Sequence, residues 1–445
     1  MHRLRNHLEL GRAFVLILCA GLVLKSENAS AVGYDKGVMF SGRYSGLFNA
    51  VTSSAAGVDA LILNPAGVAS FTSDTQNGEV TVNFSPALVR FSAPVRDAHV
   101  QEHTKGSFLD RTLLPASAVG ATVRILPNLA FGVASGSVGG NVADYGELSY
   151  ADQGLSAFKP VVKGDLRIYE LTTGLAYEFF EGFRIGAAWR ISHVRAEFSS
   201  VAVTPGVSMV EVHLKDLKDT NYEGFRFGAQ YAPPEQPFGV GVNVRTAVKF
   251  DAKGGGDGRA ETILAPGTTV PLSAVGDVSV SNTFPLVLSA GAFYRITDHW
   301  KLFGNYSWYR YSVNKNIGVK ATLENSTKTL TVVAPDIKQN WQDANELRFA
   351  AEYTGLDWAL RAGVGYASAV VAKSTAMAAG EPPGEAYGFA VGAGRYFLEN
   401  RLEANFAVDY SFGHAEVANN EAVPSLAGDY DVSAYTAHTG VTYHF

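Results

Sequence analysis

The sequence predicts an all-β protein, namely a 14-stranded antiparallel transmembrane β-barrel with an N-terminal plug in its lumen. Three features predict it: an export signal, alternating apolar and polar residues, and connections that alternate between short and long. The final segment, Tyr430–Phe445, shows the alternation clearly. Successive side chains of a strand point to opposite faces, so Val441, Tyr443 and Phe445 share an apolar face and the residues between them are polar.

Residues 1–31 have the features of a secretory signal peptide. Basic residues near the start precede an apolar core at 13–24, and Ala29-Ser30-Ala31 matches the small-residue cleavage pattern. This core is shorter than the roughly 20 residues that a membrane-spanning helix needs. The single cysteine, Cys19, lies inside it. We therefore expect a mature chain that begins at Val32 and contains no disulfide.

Alternation and turn residues predict fourteen strands after residue 75. Hydrophobic residues make up 47% of the chain, yet no other stretch is long and apolar enough for a helical membrane span. The apolar residues must therefore be spread over short segments. The predicted strands are 78–93, 111–125, 129–143, 165–179, 183–201, 223–232, 238–254, 275–296, 300–320, 345–354, 358–371, 384–397, 402–417 and 430–445.

The connections between these strands alternate in length. Those at 126–128, 180–182, 233–237, 297–299, 355–357 and 398–401 are tight, whereas the intervening ones, such as 202–222 and 255–274, are long. Outer-membrane barrels have this asymmetry, with short periplasmic turns and long external loops. A sheet in lipid must also close, because an open edge would leave backbone groups unsatisfied. The chain is therefore expected in the bacterial cell outer membrane.

Charged residues on the polar faces of the strands are expected to face the lumen. We expect most of them to pair with one another and brace the barrel, because charges are tolerated on the lumen side and costly on the lipid side. These residues are Arg184, Arg190, Arg348, Glu352, Arg361, Glu403 and Asp409.

The segment ahead of the first strand is predicted to form the plug, over residues 32–75, with the barrel at 76–445. It contains Gly42–Gly46 (GRYSG), then small residues, then Asn64-Pro65-Ala66-Gly67. Asn before Pro favours a turn, which could hold a plug in one position or simply end a helix or loop. These residues resemble the N-terminal plug of the FadL/TodX family of outer-membrane transporters of long-chain fatty acids and other hydrophobic compounds.

The resemblance continues through the barrel. Phe131–Tyr145 is similar to the third strand of the family and contains Gly136, Gly139 and Gly140. Glycine within a strand often marks a bulge or bend, although close packing against the plug is an alternative. The resemblance implies a bend that opens the wall sideways.

Two further sets of site residues follow from the resemblance. Family members hold a ligand carboxylate with a basic residue near the end of the fifth strand. This chain has Ser200 there, and Arg195 is the nearest cation. The terminal aromatic residues Tyr443 and Phe445 are expected to act as the insertion signal that the barrel assembly machinery reads.

The resemblance implies passive uptake of a hydrophobic small molecule, such as a long-chain fatty acid, by lateral diffusion through the barrel wall. The ligand would first adsorb to apolar loop surfaces at 155–162 and 207–217. Nucleophile and metal motifs are not evident, so we expect no enzyme activity, cofactor or metal. Clustered basic residues are not evident either, so no nucleic acid is expected. We expect a monomer that is surrounded by outer-membrane lipid. The alternatives are a secretion-accessory or structural barrel and, less favoured, a general porin.

Overall fold

The computed structural model describes residues 41–71, 76–96, 99–102, 107–108, 111–151, 155, 157–204, 208–261, 267–420 and 426–445. The predicted signal peptide, 1–31, and the start of the predicted plug lie outside these residues. Over the described part of the chain, fourteen strands form one closed antiparallel barrel, as the sequence predicted. No helix within these ranges has the length and apolarity needed to cross a membrane.

The barrel strands follow one another around the wall in chain order. Short additional strands lie in the external connections. The barrel strands are β1 Gly78–Arg96, β2 Arg111–Leu126, β3 Leu129–Glu147, β4 Val161–Phe180, β5 Phe183–Thr204, β6 Ser208–Tyr231, β7 Phe238–Arg245 with Val248–Glu261, β8 Val278–Phe284 with Val287–Arg295, β9 Trp300–Tyr309, β10 Ala344–Thr354, β11 Trp358–Ala367, β12 Ala386–Phe397, β13 Leu402–Val417 and β14 Gly428–His444.

Pairing between the first and last strands closes the barrel. β1 pairs with β14 from Glu79 opposite His444 to Ser92 opposite Asp431. On its other edge β1 pairs with β2. Every backbone edge at this seam therefore has a partner, which is the condition for a sheet in hydrocarbon.

Apolar side chains cover the outside of the barrel, and polar side chains are enclosed. On β1, Phe84 is 49% exposed whereas the neighbouring Asn83 is 2% exposed. On β14, Val441 and Tyr443 are exposed whereas Thr442 is buried. This is the reverse of a soluble sheet and is expected where the outer face contacts lipid.

Two of the predicted long loops are wrong. β5 and β6 continue as a hairpin to the pair Thr204–Ser208, and β7 continues to Glu261. Buried residues alternate in this extension, including Val210, Val212 and Leu214, so it has its own packed interior. The strands therefore extend beyond the apolar band instead of ending at it.

The enclosed charges form ion pairs, as predicted. Glu170 accepts from Arg190 Nε at 2.7 Å and from Arg226 Nη1 at 3.2 Å, and these side chains are at most 1% exposed. On the other side of the barrel, Arg361 contacts Glu352 at 2.7 Å. Such pairs satisfy buried charges that would otherwise be costly.

Candidate functional site

Residues 41–71 lie inside the barrel and form a plug. They contain a 3₁₀ turn at Ser45–Leu47, helix α1 at Gly57–Leu63 and a second 3₁₀ turn at Pro65–Ala69. Every residue of α1 is buried. The Glu79 carboxylate on β1 accepts from Val58 N at 2.7 Å, which satisfies a free amide at the start of the helix. The wall therefore supplies the cap that the plug sequence lacks.

Asn64 of the Asn-Pro-Ala-Gly signature joins the plug to the wall. Its Nδ2 donates to Thr52 O in the plug at 2.7 Å and to Ala229 O and Val242 O of the wall at 3.2 Å each. Its Oδ1 accepts from Ala66 N at 3.2 Å. The side chain is fully buried. Asn64 therefore binds β6 and β7 while it caps the 3₁₀ turn that begins at Pro65.

Close approach of the backbone explains two glycines at this junction. A Cβ on Gly67 would lie 1.8 Å from Ala55 O. A Cβ on Gly228, in the wall, would lie 1.8 Å from Asn64 Oδ1. Only glycine permits contacts this close. The signature therefore depends on glycine in both the plug and β6.

A second polar junction lies at the β1 side of the plug. Asp59 accepts hydrogen bonds from Ser41 Oγ and, at 3.1 Å, from Asn83 Nδ2. Burial raises the pKa of Asp59 to about 6. The plug is also held by Arg226 Nη1, which donates to Leu61 O at 2.8 Å.

The wall separates between β2 and β3. The two strands pair from Leu126–Leu129 to Ala118–Gly136, where the described pairing stops. Beyond that point β2 stays paired with β1, and β3 stays paired with β4 as far as Glu147. A gap therefore opens between residues 111–117 and 137–147.

The predicted glycines lie where this gap begins. The register of β3 against β4 shifts between Ser137 and Gly139. Gly140 has φ +146°, and a Cβ there would lie 2.4 Å from Leu166 O. A bulge of this kind bends a strand and requires glycine at the left-handed position. Gly136, Gly139 and Gly140 thus mark the divergence of β3 from β2.

A cavity of about 340 Å³ lies behind the gap. Gly139 and Gly140 line it on the wall side, and Phe48 and Asn49 of the plug close one end. Most of its surface is apolar, as is usual for small-molecule sites. Its apolar lining includes Val89, Phe91, Leu114, Leu166, Ile168 and Phe412.

Arg167, Arg348 and Asp409 line the cavity, and each has a partner within the protein; Arg167 contacts Asp165 at 2.9 Å. Arg348 Nη2 contacts Glu346 Oε1 at 2.6 Å, and Arg348 Nη1 donates to Asn49 O at 3.4 Å. His438 Nε2 lies 2.5 Å from Asp409 Oδ2. The cavity therefore combines an apolar wall with a neutralised polar end. Arg348 faces the lumen, as predicted, and there it contacts the plug through Asn49 O.

The structure places Arg195 away from the cavity, which corrects its predicted role as a ligand-carboxylate contact. Val194 and Ala196 on either side of it are buried, whereas Arg195 is exposed on the outer face of β5. Alternation along the strand explains this, because Arg190 faces inward and odd-numbered positions face outward.

The described apolar residues of the predicted adsorption surfaces, 155–162 and 207–217, are also not exposed; residues 156 and 207 lie outside the described part of the chain. Leu155 and Phe158 are 5% and 0% exposed and pack in an apolar cluster with Tyr145 and Tyr150. In the segment 207–217, the described apolar residues face the interior of the extended hairpin. The described apolar side chains of these segments are therefore packed within the protein and do not offer an apolar surface to solvent.

The terminal aromatic residues lie at the edge of the barrel that carries the short turns. Tyr443 and Phe445 are 44% and 47% exposed on the outer face. Phe445 O accepts from Asn77 N at 2.6 Å and from Gly78 N at 3.1 Å. Over the described ranges, no cluster of His, Cys, Asp and Glu has the arrangement of a metal site.

Known proteins support this architecture. A FadL homologue from Pseudomonas aeruginosa is similar to this chain, with 16% sequence identity and a TM-score of 0.67 over 94% of this chain and 100% of that chain. The Pseudomonas putida toluene transporter TodX has 15% identity and a TM-score of 0.67, over 94% and 99%. The Ralstonia pickettii toluene transporter TbuX has 17% identity and a TM-score of 0.66, over 90% and 98%. At these identities the likeness establishes the fold.

A search of curated protein sequences gives no match. In contrast, residues 27–445 match the family described as outer membrane protein transport protein (OMPP1/FadL/TodX). The match covers the plug, the barrel and the terminal strand. The chain therefore belongs to the FadL/TodX family of outer-membrane transport proteins.

Proposed function

We propose that this protein passively takes up a hydrophobic small molecule, which leaves the lumen sideways through the gap between β2 and β3. The observation that carries the proposal is that Pro115, Ala116, Gly139 and Gly140, which border the gap, also line the apolar cavity. An apolar ligand gains about 25 cal/mol for each Å² that it buries. Partitioning into the cavity and then into lipid needs no nucleotide, metal or catalytic step.

The cavity favours a ligand without a charged group. Arg348 is paired with Glu346, so a ligand carboxylate would have to compete with a buried ion pair. The related proteins TodX and TbuX are named as toluene transporters, and CymD is named as a monoaromatic hydrocarbon channel. We therefore propose alkylaromatic or similar neutral compounds as the substrate class, ahead of fatty acids.

The proposal includes the organisation of the chain. Residues 1–31 are removed on export, 32–75 form the plug and 76–445 form the barrel. The barrel assembly machinery recognises Tyr443 and Phe445, and the folded protein acts as a monomer in outer-membrane lipid. Its role is that of a channel and not of an enzyme.

Gly140→Val tests the lateral exit. Valine cannot adopt φ +146° without strain, so β3 must straighten toward β2. We expect uptake of labelled toluene to fall to the level of cells that lack the protein, while the barrel remains heat-modifiable on a gel. Gly255→Val is the matched control, because a Cβ at Gly255 has no neighbour closer than 3.9 Å. Full uptake in the folded Gly140→Val protein would refute the lateral route.

The same samples separate the alternatives. A secretion-accessory or structural barrel would copurify with partner proteins and would leave toluene uptake unchanged in a deletion strain. A general porin would show large, steady single-channel conductance. We expect low conductance because the plug fills the lumen.

A further inference from the structure

Four basic residues form a row across four adjacent strands on the outside of the barrel. Arg167 on β4 is directly opposite Arg195 on β5, Arg195 is opposite Lys218 on β6, and Lys218 is opposite Lys253 on β7. All four are at outward positions; the side chains of Arg167 and Lys218 are 51% and 49% exposed. Neighbouring strands are about 4.8 Å apart, so the row extends about 14 Å around the wall.

The row lies at the boundary between the apolar band and the external side. On β4, the outward residues Leu171 and Tyr169 precede Arg167 toward the external end. On β5, the outward residues Trp189 and Ile191, which are opposite Thr173 and Leu171, likewise precede Arg195 toward the external end. Aromatic side chains of membrane proteins concentrate at the depth of the lipid headgroups. The basic row is therefore at headgroup depth in the outer leaflet.

Like charges directly opposite on neighbouring strands destabilise a sheet. Acidic neighbours relieve only part of this repulsion, since Arg167 contacts Asp165 at 2.9 Å and Lys218 lies 3.7 Å from Asp216. Arg195 and Lys253 have no ion-pair partner among the described residues. The row therefore has the electrostatic character of a site that is completed by an external anion.

We propose that this row, Arg167, Arg195, Lys218 and Lys253, binds the phosphate groups of a phosphorylated glycolipid of the lipid A class in the outer leaflet. Arginine and lysine are the usual ligands of phosphate, and arginine can bind two of its oxygens at once. The acyl chains of the same lipid would cover the exposed apolar residues directly below the row. The proposal rests on the outer-membrane location. Arg167 also lines the cavity at the gap, so the test changes Arg195 and Lys253, which do not line it.

The test compares Arg195→Gln/Lys253→Gln with the wild type. Purified protein in neutral detergent is titrated with bisphosphorylated lipid A, and bound lipid is measured by native mass spectrometry. A basic residue near an anionic lipid surface contributes about fivefold in affinity, so the double variant should bind about 25-fold more weakly. The matched control, Lys328→Gln/Lys373→Gln, removes the same charge from exposed external loops and should bind as the wild type does.

Two further probes identify the source of the phosphate. Lipid A without its phosphates should bind the wild type as weakly as phosphorylated lipid A binds the double variant. Inorganic pyrophosphate should not displace the lipid. Equal binding by the double variant and the control, or by both forms of lipid A, would overturn the proposal. Displacement by pyrophosphate would overturn the assignment to a lipid. Toluene uptake by the folded double variant should be unchanged, which separates this test from that of the transport route.

Discussion

Replacement of Asn64 by alanine should release the plug without unfolding the barrel. The change removes four side-chain hydrogen bonds, two of them to the carbonyl groups of Ala229 and Val242 in the wall. Three of them share the two hydrogens of Nδ2, so at about 1 kcal/mol for each full hydrogen bond their loss weakens docking by about 3 kcal/mol. Since about 1.4 kcal/mol corresponds to a factor of ten, the displaced plug should become roughly a hundredfold more populated.

Two measurements report on the plug separately from the barrel. Amide hydrogen exchange should accelerate in residues 41–71 and stay unchanged in the strands. Single-channel recordings in planar bilayers should show frequent openings that the wild type lacks. Asn325→Ala is the matched control, because Asn325 also makes four side-chain hydrogen bonds, all within an external hairpin.

The reasoning fails if Asn64→Ala gives a folded barrel with wild-type exchange and wild-type conductance. The remaining wall contacts, such as those of Glu79 and Arg226, would then be sufficient to hold the plug. A change of the same size in Asn325→Ala would instead indicate a general loosening of the molecule.

Three further predictions concern the ionised groups and the terminus. Burial raises the pKa of Asp59 from 3.8 to about 6, so the protonated side chain stabilises the docked plug fully below pH 3.8, and this stabilisation is lost by about pH 6. Hydrogen-exchange protection factors in 41–71 should therefore fall between about pH 4 and pH 7. Asp59→Asn should abolish this pH dependence. Glu170→Ala leaves Arg190 and Arg226 buried without their carboxylate and should lower the free energy of unfolding in urea by about 3–5 kcal/mol. Glu197→Ala, at an exposed site, should change it little. Equal effects of the two variants would contradict the bracing role of Glu170. Phe445→Ala should reduce the amount of folded barrel in the outer membrane on immunoblots, and unchanged assembly would exclude an essential signal there.

Strand positions could be predicted because side chains alternate between lipid and an enclosed polar interior. The same alternation contains enough information to place Arg195, since Arg190 faces inward and Arg195 is an odd number of residues away. Arg195 was instead chosen because it is the cation nearest to Ser200, where the family has its basic residue, and this choice placed it on the lumen face although it lies on the outer face. The strand extension at 208–218 was not predicted, because its outward positions carry polar or charged residues such as His213 and Lys215 and so lack the apolar pattern of a membrane-spanning strand.

The separation of β2 from β3 could be anticipated only in part. Gly136, Gly139 and Gly140 mark an irregular strand, but the point where pairing ends depends on which partner each strand keeps. β2 keeps β1 and β3 keeps β4, and each of these pairings spans a long connection, 97–110 or 148–160. The cavity depends further on the docked position of Phe48 and Asn49. The pattern of residues along one segment cannot predict such contacts.

The contacts between the plug and the wall favour a lateral over a straight route for the ligand. A straight path requires the plug to move. Hydrogen bonds between the plug and six wall residues hold it in place: Glu79 and Asn305 accept, and Asn83, Arg226, Gln230 and Arg348 donate. At about 0.5–1.5 kcal/mol each, breaking these bonds together with those of Asn64 costs several kcal/mol or more. The gap beside Gly140 is already continuous with the cavity, so a ligand can reach it without breaking any of these bonds. A firmly bound plug and an open gap between β2 and β3 therefore favour the same lateral exit.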